Sequence, residues 1–243
     1  MSAKVARPSD EISSERFIGT DSKKILVPLL SGGLDSAVAT LKARKELGIE
    51  RLEPVFVDRG QTALRAEEAA FGHVCDLLGV PPKDRFRYNI GFEWYKRQKE
   101  KDPGQAHPYG RNLVLVAVAA AHAATLHHGS KNILLVGFTQ DDIGDTSPEF
   151  VTSLNCVLRY AIEHNESGAI VEVRAPLIQM SKPEVIQWAW ANDGSEIAEA
   201  TWSCWKRDEP PHCGSCPACN KRQHAFEEAR ISDPTRYQQT HRV

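Results

Sequence analysis

Four cysteines, Cys204, Cys213, Cys216 and Cys219, fall within sixteen consecutive positions of a 243-residue chain that holds six in all. Thiolates at this spacing supply the four soft ligands of a tetrahedral Zn²⁺, and Cys213-Gly214-Ser215-Cys216-Pro217-Ala218-Cys219 can turn tightly around the ion. A filled four-sulfur shell leaves no open position, so zinc held this way is structural. An iron–sulfur cluster would use the same compact run, whereas a redox thiol pair leaves two cysteines unexplained. His212 adjoins Cys213 as a substitute ligand, although four thiolates already suffice. Cys75 and Cys156 lie within helical patterns and read as small core residues.

A second chemical signal is Ser31-Gly32-Gly33-Leu34-Asp35-Ser36, directly after the apolar run Ile25–Leu30. A glycine turn between a buried strand and a helix exposes backbone N–H groups at the helix start, where the dipole also favours an anion. Ser31 and Ser36 add hydroxyl donors. Asp35 is the odd member, because a carboxylate beside bound phosphate is repulsive unless a divalent cation lies between them. The string therefore reads as a phosphate cradle with Mg²⁺ shared between nucleotide and Asp35. A turn that uses two glycines only for their backbone angles, with Asp35 supporting the first helical turn, is the alternative. Neither a Walker Gly-Lys-Ser/Thr nor the third glycine of a dinucleotide fingerprint is present.

These residues need a scaffold, and the pattern around them alternates strand and helix. Continuous apolar runs at Ile25–Leu30, Glu53–Val57 and Asn132–Gly137 have the form of strands buried on both faces in a parallel sheet. Arg85–Ile90 and Ile170–Val173 add two more. Helical spacing follows from Ala37 to Leu47 with Gly48 as its stop, from Thr62 to Leu78, from Arg111 to His127, and from Pro148 through Ile162. The Arg111–His127 segment is rich in Ala and Val almost all round and is expected to be largely buried. Ser181-Lys182-Pro183-Glu184 is a capping box ahead of a helix with Trp188 and Trp190. The fold class is α/β: a mostly parallel, doubly wound sheet with a C-terminal four-cysteine zinc segment. The expected organisation is an N-terminal extension over 1–24, a nucleotide-binding α/β domain over 25–200 and a zinc segment over 201–243 packed on it. A nucleotide site belongs at the carboxyl ends of the strands, near Ser31–Ser36 and Asp58.

Composition narrows the partners. Thirty Lys and Arg against thirty-two Asp and Glu give a net charge of −2, which argues against general nucleic-acid binding. The most apolar stretch, Leu113–Ala121, is far short of the roughly 20 residues a membrane span requires. The polar start of the chain does not resemble a secretory signal, so a cytoplasmic setting with reduced cysteines is expected. The polar segment Lys96–Gln105 is long for a loop in a compact domain.

The glycine string resembles the PP-loop of the ATP pyrophosphatases, which cleave ATP between the α- and β-phosphates and transfer AMP. Together with the cysteine cluster it resembles the QueC family, the 7-cyano-7-deazaguanine synthases, over nearly everything from Ile25 to Arg236. The match includes Asp58-x-Gly60-Gln61, Gly110-Arg111-Asn112, Val136-Gly137, Pro148-Glu149-Phe150 and Ala175-Pro176-Leu177. Ser181-Lys182-x-Glu184, Thr201-Trp202-Ser203-Cys204, Arg222, Phe226 and Asp233-Pro234 continue it. The resemblance implies an adenine nucleotide alpha hydrolase-like fold, a homodimer, and ATP-dependent conversion of 7-carboxy-7-deazaguanine with ammonia to the 7-cyano compound. It makes Ser31 to Ser36 and Asp58 the nucleotide site, Asp35, Arg111 and Lys182 the catalytic group, and ATP, Mg²⁺ and Zn²⁺ the cofactors. Arg111 and Lys182 would be countercharges to phosphate, with surface salt bridges as their ordinary alternative.

Two departures stand out. Arg59 replaces a tyrosine of the family, and the family's Ser-Gly-Tyr-Pro-Asp-Cys-Arg run before Pro-Glu-Phe is shortened to Ile143-Gly144-Asp145-Thr146-Ser147. The shortening motivates a rival in which the activated acid is joined to an amine on a protein or another large partner. A tRNA-modifying PP-loop enzyme is opposed by the balanced charge. A non-catalytic nucleotide-binding zinc scaffold is the reading from a different class.

Overall fold

A computed structural model describes residues 24–91, 109–141, 144–163 and 168–238. Residues 1–23 of the N-terminal arm, the 96–105 segment and Ile143 lie outside the described residues. Strand β1 spans Lys24–Pro28, β2 Val55–Asp58, β3 Phe86–Asn89, β4 Lys131–Leu135 and β5 Ile170–Arg174. Helices α1 (Leu34–Leu47), α2 (Leu64–Leu77), α3 (Arg111–Leu126) and α4 (Pro148–Leu158) alternate with them, followed by α5 (Lys182–Ala191), α6 (Ser195–Glu199) and α7 (Pro217–Ala229).

All strand pairs are parallel: β1 with β4, β4 with β5, and β2 with β3. Parallel bridges Leu26–Leu52 and Leu29–Val55, with Leu30 N–H donating to Val55 O at 3.0 Å, connect β2 to β1. The spatial order is therefore β3-β2-β1-β4-β5. The chain leaves β1 toward β2 on one side and returns to β4 on the other, so a crevice opens between the ends of β1 and β4.

The expected two-sided burial of the first strand is observed. Ile25 and Val27 join one core cluster with Leu115, Val116 and Ala119 of α3 and Leu154 of α4. Leu26 and Leu30 point the other way, against Ala37 and Leu41 of α1 and Phe71 and Val74 of α2. Each buried Leu, Ile or Val side chain contributes about 1.5–3 kcal/mol relative to exposure, so β1 is anchored from both faces. Helix α7 packs through Ala225, Phe226 and Ala229 against Val185, Ile186 and Ala189 of α5.

Local signals account for the helix ends. Gly48 takes φ 61° and its N–H returns to Arg44 O, closing α1. Ser147 Oγ accepts from Phe150 N at 3.2 Å ahead of Pro148, opening α4. At α5 the Glu184 carboxylate accepts from the Ser181 N–H at 2.7 Å and its hydroxyl at 2.8 Å.

Two expectations are corrected. Helix α3 buries one face only, and Leu113 and Leu126 are 47% and 51% exposed. It is an outer layer on the sheet, so its far side turns away from the core whatever its composition. Cys156 is likewise exposed on the outer side of α4, whereas Cys75 is buried and burial pushes its thiol up to about 12. Among the described residues, no helix is long and apolar enough to cross a membrane.

Candidate active site

The Ser31–Ser36 loop sits at the carboxyl end of β1, in the crevice between β1 and β4. It lines a cavity of about 410 Å³ together with Val136, Gly137 and Phe138 beyond β4. Glycine is required here for close approach. Gly32 has φ +77°, and a Cβ on it would lie 2.3 Å from the Glu67 carbonyl oxygen. A Cβ on Gly137 would lie 2.6 Å from Ser36 N and 2.8 Å from the Asp35 carbonyl carbon, so the chain after β4 passes against the first turn of α1. The N-cap is Gly33, which has no side chain to occupy the first-turn N–H groups. Ser36 Oγ donates to Gly33 O at 3.0 Å and accepts from Ser31 N at 3.2 Å, tying the loop into a closed turn.

Charge converges on this loop. Lys182, at the start of α5, places Nζ 2.5 Å from Asp35 Oδ2. Asp35 Oδ1 is buried with no hydrogen-bond partner. A hard, unsatisfied carboxylate oxygen beside a cradle of backbone donors suits a divalent cation such as Mg²⁺. Among the described residues, Arg59, Arg111, Lys182, Lys221 and Arg222 line the cavity against Asp35 and Glu67, a balance suited to a polyphosphate. Arg111 Nε donates to Asn112 Oδ1 at 3.2 Å, and the Asn112 amide donates to Asp145 Oδ1 at 3.0 Å. Thr146, in the shortened segment, is also part of the lining.

Of the residues singled out from sequence, Ser31, Gly33, Leu34, Asp35, Ser36, Arg111 and Lys182 line one cavity, with Gly32 buried beneath the turn. Leu34 also turns into the core beside Val38 and Val185. Asp58 is not part of the lining. Its Oδ1 accepts from Gly60 N at 2.9 Å and its Oδ2 from Arg87 at 2.8 Å, so it holds the chain after β2.

Sequence reasoning missed Glu67. It lies in the first turn of α2, outside every recognised string, and its carboxylate accepts from Gln61 Nε2 at 2.7 Å with Arg59 3.7 Å away. Burial raises its pKa, opposed by Arg59, Gln61 and Arg111. Only its neighbour Gly60-Gln61 belonged to a recognised string.

The four cysteines converge as expected. The sulfurs of Cys204, Cys213, Cys216 and Cys219 all lie within 4.8 Å of one another, and Cys213 and Cys219 are 3.9 Å apart. Tetrahedral zinc with bonds near 2.3 Å requires sulfur separations of about 3.8 Å, so the donor set fits the metal. Burial opposes ionisation of Cys213, but N–H donation from Ser215 and Cys216 overrides it and brings the thiol down to about 6. The knuckle packs on Ala63, just before α2, and on Ala66 and Ala70 within it. Asp208 reinforces this contact by accepting from Ala66 N at 3.0 Å and Arg65 Nε at 2.6 Å.

The knuckle also reaches the cavity. Trp202 and Ser203, immediately before Cys204, belong to the lining, and Trp202 N donates to Gly32 O at 2.9 Å. The Trp202 indole donates to Cys204 O at 2.8 Å and stacks on His212 with ring centroids 3.9 Å apart. His212 Nε2 accepts from Ser203 N at 3.2 Å, so this ring serves the backbone. Arg222, 3% exposed, donates to Thr201 Oγ1 at 2.9 Å and Ala198 O at 3.1 Å, fastening α7 to the same segment.

The chain was compared with known families and proteins. The family described as Queuosine biosynthesis protein QueC matches residues 25–230. A 7-cyano-7-deazaguanine synthase of Methanothrix thermoacetophila is 35% identical, covering 87% of this chain and 98% of that one. Proteins of the same description from Thiobacillus denitrificans and Koribacter versatilis are 33% and 30% identical, with 88% and 90% of this chain covered and 99% and 94% of theirs. A family match over most of the chain, and relatives aligned almost end to end, show that this chain belongs to the QueC family.

Proposed function

We propose that the protein activates the carboxylate of 7-carboxy-7-deazaguanine with ATP and passes it to ammonia, giving first the amide and then 7-cyano-7-deazaguanine. The observation that carries this reading is the meeting of Asp35, Lys182, Arg59 and Arg111 over the Ser31–Ser36 turn in a single cavity. That arrangement favours attack at the α-phosphate, because cationic side chains beyond the turn can take the charge of departing pyrophosphate.

The carboxylate oxygen attacks the α-phosphorus and pyrophosphate leaves, producing an acyl adenylate. Ammonia adds to the acyl carbon, AMP departs with the C–O bond, and one proton is released. The amide oxygen then attacks a second ATP, pyrophosphate leaves again and one N–H proton is released, and loss of AMP with the remaining N–H proton forms the nitrile. First-turn N–H groups of α1 and the Ser31 hydroxyl hold phosphate oxygens. Lys182 and Arg111 bind the leaving pyrophosphate, and Arg59 keeps Glu67 in place. Mg²⁺, bound through Asp35 Oδ1, would supply further charge neutralisation on the nucleotide. Asp58 acts indirectly, by fixing the loop that carries Arg59. The zinc knuckle holds Trp202 and Ser203 against Gly32 and takes no part in the chemistry.

A second reading keeps the first adenylation but delivers the acyl group to an amine on a protein. It is favoured by the shortened segment, where Asp145 is tied directly to Asn112 and Thr146 faces the cavity. Incubation with ATP, 7-carboxy-7-deazaguanine and ammonia, followed by mass spectrometry, tests the proposal. Nitrile formed with two AMP per product is expected. Accumulation of the amide alone, or of a protein adduct in preference to free product, would favour the second reading.

A further inference from the structure

Glu53, from the segment before β2, meets His122 and His127, from the C-terminal end of α3, at the end of the sheet opposite the nucleotide cavity. Glu53 lies just before β2, where its N–H donates to Leu26 O at 2.9 Å, His122 is near the end of α3, and His127 follows that helix. One ligand atom from each lies within 4.8 Å of the others. Glu53 and His122 are only 2% and 4% exposed, and the His127 side chain only 9%.

The hydrogen-bonding pattern is incomplete in an informative way. His122 Nδ1 is 2.8 Å from the Tyr88 hydroxyl, which fixes the ring, whereas its Nε2 is buried without a partner. His127 Nε2 contacts Glu53 Oε2, and Glu53 Oε1 takes the Arg51 guanidinium at 2.6 Å. A buried ring nitrogen is seldom left unsatisfied in a native protein. Here it faces a carboxylate and a second imidazole, the donor types that zinc-like ions accept. The outer groups have the corresponding form: a ring held through its other nitrogen, and a carboxylate held through its other oxygen.

We propose that Glu53, His122 and His127 bind a divalent transition-metal ion of the zinc type, at a site separate from the four cysteines. Nε2 of His122 is the donor that this ion satisfies, with Nδ1–H then donating to the Tyr88 oxygen. Arg51 is half-exposed, so solvent screens its charge from the ion.

The location makes this metal structural. Helix α3 begins with Arg111 in the cavity and ends beside His127, and sixteen residues at 1.5 Å each separate the two ends by about 24 Å. A metal there would clamp the far end of α3 to the β1–β2 connection, leaving Arg111 at the other end of the same rigid rod.

The test is to strip the purified full chain of metal, re-equilibrate it with Co²⁺ or Zn²⁺, and count bound equivalents. Two per chain are expected. One cobalt should show sulfur-to-metal charge transfer, and the other only the weaker bands of nitrogen and oxygen ligation. His122→Phe keeps an aromatic ring against Phe86, 4.3 Å away, and should remove the second equivalent while retaining the first. His127→Gln should do the same. A wild-type chain that binds a single equivalent, all of it thiolate-ligated, overturns the proposal, as does retention of two equivalents in both variants. Should a variant not fold, the wild-type cobalt spectrum decides alone.

Discussion

Lys182 Nζ and Asp35 Oδ2 are 2.5 Å apart although 147 residues separate them in sequence. The contact joins the first turn of α1 to the first residue of α5 and neutralises the carboxylate that would otherwise repel phosphate. The other oxygen of Asp35 remains buried without a hydrogen bond, so the two oxygens have different work.

Replacing Lys182 by Met should therefore lower pyrophosphate release by on the order of 10²–10³-fold, the usual cost of removing one charge-stabilising donor. Asp35→Asn should lose activity comparably and weaken the dependence on Mg²⁺. The double variant separates two roles for the lysine. If Lys182 only neutralises Asp35, the pair together should be far less impaired than the product of the single losses. If it binds pyrophosphate independently of Asp35, the impairment of the double variant should approach the product of the single losses. The second outcome is expected, measured by coupled pyrophosphate assay with a full double-mutant cycle.

Two glycines at the loop should respond differently to the same added methyl group. Gly33 has φ −85°, and its Cβ would approach the Ser31 hydroxyl at 3.3 Å, an atom that can move. Gly33→Ala should fold normally and lose nucleotide affinity. At Gly137 the obstacles are backbone atoms of Asp35 and Ser36 within 2.8 Å. Gly137→Ala should cost about 1–3 kcal/mol of stability by overpacking as well as activity. Thermal midpoints and ATP titrations of the two variants check this contrast.

Much of this was legible in sequence because its signals are local. The apolar run of β1, the glycine turn and the four clustered cysteines each carry their meaning within a few residues. Lys182 was readable as a countercharge, but its partner across 147 residues was not. Glu67 carries no local mark at all: a glutamate in an amphipathic helix ordinarily faces water, and only packing of α2 against Gly32 encloses it. Asp58 looked like a nucleotide ligand because it ends a strand in the right layer. In the structure its oxygens accept from Gly60 and Arg87, and it stands outside the described cavity lining. The Glu53–His122–His127 group was invisible because Glu53 lies about seventy residues before the two histidines, and only the packing of α3 on the sheet brings them together. Composition misled at α3, since an Ala- and Val-rich helix can be an outer layer with Leu113 exposed.

Glu67 gives a pH prediction. Burial raises its folded pKa above the ordinary carboxylate value. Between the two values the folded state binds more protons than the unfolded state, so this group's contribution to stability is full at low pH and falls as pH rises. Glu67→Gln removes the ionisation while keeping the size. The thermal midpoint of the wild type minus that of the variant should decrease as pH is raised through this interval and then level off. A difference that stays flat, or grows with pH, would contradict the assignment.

Removal of the knuckle's metal should reach the cavity although no thiol lines it. Cys204, Cys216 and Cys219 are buried together against α2, and Trp202 spans the distance from Cys204 O to Gly32 O. Stripping the metal leaves four sulfurs crowded without a shared partner, so the segment that presents Trp202 and Ser203 should loosen first. A loss of about 3 kcal/mol would lower the thermal midpoint of a chain of this size by roughly 6–12 °C. ATP affinity should fall in parallel, and readdition of Zn²⁺ should restore both. Cys216→Ser should imitate the stripped protein, whereas Cys156→Ser, at an exposed position, should be indistinguishable from wild type. Because zinc at the cysteines and an ion at Glu53 would both be stripped, Cys216→Ser is the decisive arm. It removes one cysteine ligand and leaves the other site intact, so unchanged nucleotide affinity in that variant would disconnect the knuckle from the cavity.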